Sequence, residues 1–79
     1  MKTTAYCDPA SPDVLYTVMR APGREPAYFP VRVRNNDRMR KRIAPTECPV
    51  RASLTEAQDD LEKLAAARGW RIAGTIDLD

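Results

Sequence analysis

A chain of 79 residues has room for one hydrophobic core, since a domain of this size removes only roughly 60% of its unfolded surface from water. Its content of 43% hydrophobic and 30% charged residues is typical of a folded globular domain and excludes a disordered chain. The net charge of +2 excludes a uniformly basic protein, and we expect a single domain spanning residues 1–79.

The residue types that catalysis and metal binding need are scarce. The chain has no histidine, so neither Ser53 nor the two cysteines, Cys7 and Cys48, have the usual general base that would activate a nucleophile. A zinc site would need further ligands of unusual type. Asp59 and Asp60 are adjacent on a predicted helix and point about 100° apart, toward water. We therefore predict that the protein is not an enzyme and uses no metal or cofactor.

The hydrophobic residues form no long apolar run. The first residues lack the apolar stretch of a secretory signal, and nothing later approaches the roughly 18 apolar residues of a membrane span. These features predict a cytoplasmic protein without a membrane partner. In a reducing compartment Cys7 and Cys48 are expected as thiols.

Two strands are predicted before residue 35. Residues 14–20 are rich in β-branched and aromatic side chains and are followed by a turn containing Pro22, Gly23 and Pro26. Residues 28–34 alternate, with Phe29 and its apolar partners on one face and the arginines on the other. An additional short strand around residues 3–7 is an alternative that the sequence leaves open.

A third strand is predicted after a turn at residues 35–37. Asn35, Asn36 and Asp37 are short polar residues that favour turns, so residues 38–44 are expected to return as the partner of the preceding strand. In this strand Arg38, Arg40 and Arg42 would share one face. A helix is the less favoured alternative because Pro45 would end it early.

A helix is predicted from Ser53 to Arg68. Ser53 and Glu56 have the spacing of a capping box, and Gly69 stands where a left-handed C-terminal cap belongs. We expect this helix to pack its apolar stripe onto one face of the sheet. The stripe contains Leu54, Ala57, Leu61, Leu64 and Ala65; the predicted sheet face carries Phe29, Val31, Val33, Ile43, Trp70, Ile72 and Ile76.

Alternation resumes directly after the helix and predicts a last strand. The predicted fold is therefore an α+β protein with a small antiparallel sheet in the order βββαβ and one amphipathic helix packed on one face. Glu56, Asp59, Asp60 and Lys63 would form a mostly acidic outer face of the helix. The arginines would emerge from the opposite side of the sheet.

Positive charge is concentrated in the middle of the chain. Residues 20–42 contain eight basic and two acidic residues, a net charge of +6, whereas residues 43–79 carry −3. Arginine dominates, and its planar guanidinium forms paired hydrogen bonds to carboxylate or phosphate. We predict a partner-binding site formed by Arg32, Arg34, Arg38, Arg40, Lys41 and Arg42.

Three interpretations of this basic cluster remain open. The first is a contact site for an acidic protein or a ribonucleoprotein complex, the second is a site that binds nucleic acid directly, and the third is a solvated strand face that prevents edge-to-edge aggregation. Base-stacking aromatics are not interleaved with the arginines, which favours a protein partner over free nucleic acid. The protein itself is expected as a monomer or a homodimer.

Residues 55–72, TEAQDDLEKLAAARGWRI, resemble the helix-to-strand passage of short orphan proteins from bacterial genomes and prophages. In size and style the chain is similar to the anti-CRISPR inhibitors among small α+β phage proteins. The resemblance implies a stoichiometric inhibitor that binds a host nucleic-acid-handling complex. It implies no particular residue roles.

Overall fold

The computed structural model of the protein describes residues 2–34, 40–43 and 48–77. These residues form five strands and one helix, as the predicted α+β fold requires. The elements are β1 (Lys2–Asp8), β2 (Ser11–Arg20), β3 (Tyr28–Arg34), β4 (Arg40–Arg42), α1 (Leu54–Arg68) and β5 (Arg71–Asp77).

The five strands form one antiparallel sheet in the order β4-β3-β2-β1-β5. The strand that the sequence left open as an alternative is present as β1, and it lies between β2 and β5. β4 falls within the predicted residues 38–44, while the predicted turn at residues 35–37 lies outside the described residues. The first and last strands of the chain are therefore neighbours, and β5 and β4 form the two edges.

The ends of α1 follow the sequence prediction. The Ser53 side-chain oxygen accepts a hydrogen bond from the Glu56 backbone N–H at 3.1 Å, which satisfies one of the N–H groups left free at a helix start. Gly69 has φ 72° and its N–H donates to the Ala65 carbonyl. A left-handed residue ends the helix at low cost when it is glycine, so the chain turns directly into β5.

The hydrophobic core lies between α1 and one face of the sheet. Leu61 of the helix is fully buried and packs with side chains from three strands. The buried cluster contains Tyr6, Val18, Tyr28, Ala57, Leu61 and Ala65, and the half-buried residues packed against it are Tyr16, Ile43, Leu54 and Trp70.

The prediction of which β3 face meets the helix is wrong. Val18 pairs with Pro30 and Arg20 with Tyr28, and paired residues share a face of the sheet. The helix-facing set of β3 is therefore Tyr28, Pro30, Arg32 and Arg34. The predicted helix-facing residues Phe29, Val31 and Val33 alternate with them and lie on the opposite face.

Some of the other residues predicted for the core are in it, and others are exposed. Trp70 and Ile43 pack against the core as expected, whereas Ile72 is 72% exposed. The helix packs against β1, β2 and β3, which leaves Ile72 on β5 outside the covered area.

Cys7 is half-buried and Cys48 is buried, and no disulfide bond joins them. Within the described part of the chain, no helix is both long enough and apolar enough to cross a membrane.

Candidate partner-binding site

The predicted basic site lies at the sheet edge formed by β3 and β4. Residues 31–33 of β3 pair with Arg42, Lys41 and Arg40 in that order. The structure thus brings five of the six predicted site residues onto two neighbouring strands. Arg38, the sixth, lies outside the described residues.

The basic side chains divide between the two faces of the sheet, which corrects the expectation that the arginines all share the face away from the helix. Arg32 pairs with Tyr16 on one side and with Lys41 on the other. Since Tyr16 packs against the core under the helix, both cations project on the helix side. Arg42 pairs with Val31 and projects on the opposite side.

The helix does not cover the end of β3 that carries Arg32 and Arg34. Tyr28, at the first end of the strand, is buried in the core, whereas Arg32 and Arg34, near the other end, are exposed. Lys41 is also exposed. We call Arg32, Arg34 and Lys41 the basic edge.

The basic edge contains a direct like-charge pair. Arg32 and Lys41 are register partners on adjacent strands, and like charges in such positions repel each other and destabilise the sheet. The ion pair between Arg51 and Asp60 involves none of the basic edge. Three clustered cations without a described carboxylate form a surface that an anionic group can stabilise.

Arg42 makes a different arrangement on the opposite face. Its guanidinium carbon lies 5.2 Å from the centre of the Phe29 ring, within the range of a cation–π contact. Phe29 pairs with Met19, and Val33 pairs with Leu15. All four of these apolar side chains are half-buried, so Arg42 lies beside partly accessible apolar surface.

Sequence reasoning missed the association of Arg42 with Phe29. It assigned Phe29 to the helix-covered core and the arginines to the other face. The residues are thirteen positions apart in the sequence, and only the pairing of β3 with β4 brings them together. No local motif signals such a contact.

The helix carries exposed negative charge on the same side of the sheet as the basic edge. Of the predicted outer face, Glu56, Asp59 and Lys63 are exposed. Glu62, which is not part of that predicted face, is exposed as well. Asp60 differs, because it is part of an ion pair: Arg51 donates from Nε to Asp60 Oδ2 at 2.8 Å and from Nη2 to Oδ1 at 3.3 Å. This pair raises the pKa of Arg51 and fixes residue 51, whose backbone pairs with Tyr28.

The described residues contain no group of His, Cys, Asp and Glu side chains suited to hold a metal ion. A shallow polar depression at the start of α1 is lined by Arg51, Glu56, Asp59, Asp60 and Lys63. Its two basic residues and three acidic ones include the Arg51–Asp60 pair, so its charges are already partly compensated.

Comparisons with known proteins give no match to a family model, to a curated protein or to a solved structure.

Proposed function

We propose that this protein is a non-catalytic binding protein whose basic edge contacts an acidic site on a protein or ribonucleoprotein complex. The supporting observation is the exposed cluster of Arg32, Arg34 and Lys41, in which two cations lie directly opposite each other. Such a pair opposes folding, and an anionic partner relieves its repulsion. Arginine also forms the paired hydrogen bonds that bind carboxylates.

The position of the acidic helix favours a protein partner over free duplex DNA. Glu56, Asp59 and Glu62 lie on the same side of the sheet as the basic edge, and a duplex presents negative charge along its whole length. A long polyanion that bound the basic edge would therefore be repelled by any carboxylate within a screening length of about 8 Å. A protein surface with both signs of charge can complement both regions.

We further propose that the complex is a nucleic-acid-handling machine and that binding inhibits it. Such machines hold nucleic acid in a positively charged channel. The acidic helix face suits the channel, and the basic edge suits the surface around it. An inhibitor of the anti-CRISPR kind, from a phage or other mobile element, would act in this way without chemistry of its own.

Direct nucleic-acid binding through the arginine-rich β3–β4 strands is the second candidate function. The contact of Arg42 with Phe29 favours it, because aromatic rings and arginine planes both stack on unpaired bases. This candidate predicts binding to single strands more than to duplex. It also predicts an affinity that falls steeply as salt rises.

An interference assay and a mobility-shift assay together test these functions. In bacteria with an active CRISPR system, we expect the wild-type protein to restore transformation by a targeted plasmid, and Arg32→Glu/Arg34→Glu/Lys41→Glu to lose this effect while remaining folded. Arg20→Glu/Arg24→Glu reverses two exposed cations away from the basic edge and should keep the effect.

The mobility shift uses random single-stranded and duplex DNA and random RNA. We expect weak binding that the triple reversal barely changes. Tight binding that the triple reversal or Arg42→Glu abolishes would establish the nucleic-acid function instead. If the triple reversal changes neither assay, the basic edge is only a solvated strand face.

A further inference from the structure

The two edges of the sheet differ in how well they are protected against pairing with another strand. β4 has only three residues, all of them basic, and short charged edge strands resist pairing. β5 has seven residues, and six of them are exposed. β5 pairs with β1 on its inner side, and no other described strand lies on its outer side.

The exposed side chains of β5 are largely uncharged in the middle of the strand. Ile72, Ala73, Gly74, Thr75 and Ile76 separate Arg71 from Asp77. Ile72 is 72% exposed, compared with 46% for Val50. An apolar side chain on an unpaired strand edge is a feature of strands that bind another strand.

The pairing of β5 with β1 determines which β5 side chains face the helix. The Thr3 hydroxyl donates to Gln58 of α1 and Tyr6 lies in the core under the helix, so both side chains are on the helix side of β1. Their partners on β5 are Ile76 and Ile72. These two isoleucines, four positions apart, therefore share the helix-side face of β5.

We propose that β5 pairs antiparallel with β5 of a second copy of this chain, with the two-fold axis at Gly74. In this register Ile72 lies opposite Ile76 of the second copy on the helix-side face, and Arg71 lies opposite Asp77. Side chains directly opposite each other on paired strands are in contact. Gly74 of each copy occupies the centre.

The charges at the two ends of β5 favour antiparallel pairing over parallel pairing. They also favour a second copy of the chain as the partner. Antiparallel pairing brings the Arg71 end of each strand beside the Asp77 end of the other. A parallel arrangement would instead place Arg71 beside Arg71 and Asp77 beside Asp77. The strand is thus complementary to itself in one direction only, as a two-fold interface requires.

The resulting dimer joins two five-stranded sheets into one continuous sheet and removes the exposed β5 edge. The β3–β4 basic edges then lie at the two far ends of the joined sheet, because β4 and β5 are opposite edges of each monomer. The dimer therefore leaves both basic edges accessible. This surface is distinct from the one proposed for partner binding.

Sedimentation equilibrium of the purified chain tests the dimer, with circular dichroism to confirm folding of each variant. We expect the wild type to dimerise and Ile72→Asp to weaken association by tenfold or more. The side chain is mostly exposed, so this change should leave the monomer folded. Val50→Asp alters the other exposed hydrophobic residue, away from β5, and should dimerise as the wild type does.

Charge exchange separates a second copy from any other partner. Arg71→Asp alone and Asp77→Arg alone should each weaken the dimer, because each places like charges at both ends of the pairing. The double variant Arg71→Asp/Asp77→Arg should recover it. A monomeric wild type up to millimolar concentration, an unaffected Ile72→Asp, or a double variant no better than the single ones would overturn the proposal.

Discussion

Tyr6 connects the sheet to the helix through burial and through a nearby charge. Its ring lies in the core cluster with Leu61, close to Gln58 and Glu62 of α1. Gln58 in turn accepts hydrogen bonds from the Thr3 hydroxyl and from the Thr4 backbone N–H. The same turn of the helix therefore fixes the position of β1. In the sequence, this strand was only an open alternative.

Burial raises the pKa of Tyr6 above its ordinary value of 10.0, and the negative charge of Glu62 raises it further, while a hydrogen bond with Gln58 opposes the shift. A raised pKa in the folded state means that the unfolded chain releases this proton first. The stability that neutral Tyr6 contributes is complete below pH 10 and is lost as the pH rises through the pKa of the folded state.

We therefore predict that the free energy of unfolding falls as the pH rises above about 10, and that Tyr6→Phe reduces this fall. Urea unfolding at a series of pH values measures both. Because the chain contains two other tyrosines, Tyr16 and Tyr28, the difference between wild type and variant is the informative quantity. Equal slopes in the two proteins would contradict a role for Tyr6.

At the scale of the elements, the two leucines in the middle of α1 have different environments. Leu61 is fully buried in the core cluster, whereas Leu64 is half-buried and does not belong to it. Both are on the stripe that helical periodicity predicts. The stripe is wider than the contact with the sheet, so periodicity alone does not rank them.

Leu61→Ala is expected to lower the free energy of unfolding by about 2–5 kcal/mol, through lost burial and a residual cavity. That is a large share of the stability of a small domain. Leu64→Ala makes the same chemical change with less loss of buried surface and should cost clearly less. Urea denaturation of both variants measures the difference, and equal costs would show that the helix packs through another face.

β3 illustrates what the sequence predicts about the fold and what it leaves undetermined. Alternation correctly separates Phe29, Val31 and Val33 from Arg32 and Arg34. It does not say which set meets the helix, because the second set also contains Tyr28 and Pro30, and these bury deeply. The buried face is chosen by the partners Tyr16 and Val18 on β2, and strand pairing is not a local property of the sequence.

The same limit applies to the basic site. The cluster of cations and its place on two neighbouring strands are predictable, because charge and alternation are both visible in the sequence. The opposition of Arg32 to Lys41 and the contact of Arg42 with Phe29 depend on the register of β4 against β3. A shift by one residue would exchange the faces of every β4 side chain.

At the scale of the whole molecule, Trp70 joins parts of the fold that are distant in the sequence. Its ring stacks on Tyr16 of β2, with ring centres 3.7 Å apart and planes 11° from parallel. Its backbone N–H donates to the Ala65 carbonyl at the end of α1, and β5 begins at the next residue. One residue thus contacts a central strand through its side chain and the helix end through its backbone, and it directly precedes an edge strand.

Because helix, sheet and β5 meet at Trp70, we predict that they unfold together. The chain has one tryptophan, so its fluorescence reports this junction, while far-ultraviolet circular dichroism reports helix and sheet. Urea transitions from the two signals should coincide, as expected for a two-state domain.

Leu61→Ala should shift both transitions to lower urea concentration by the same amount. Arg24 is an exposed turn residue, so Arg24→Ala should shift neither transition. A fluorescence transition that precedes loss of the circular dichroism signal would show that β5 and the helix end separate from a stable β2–β3 core.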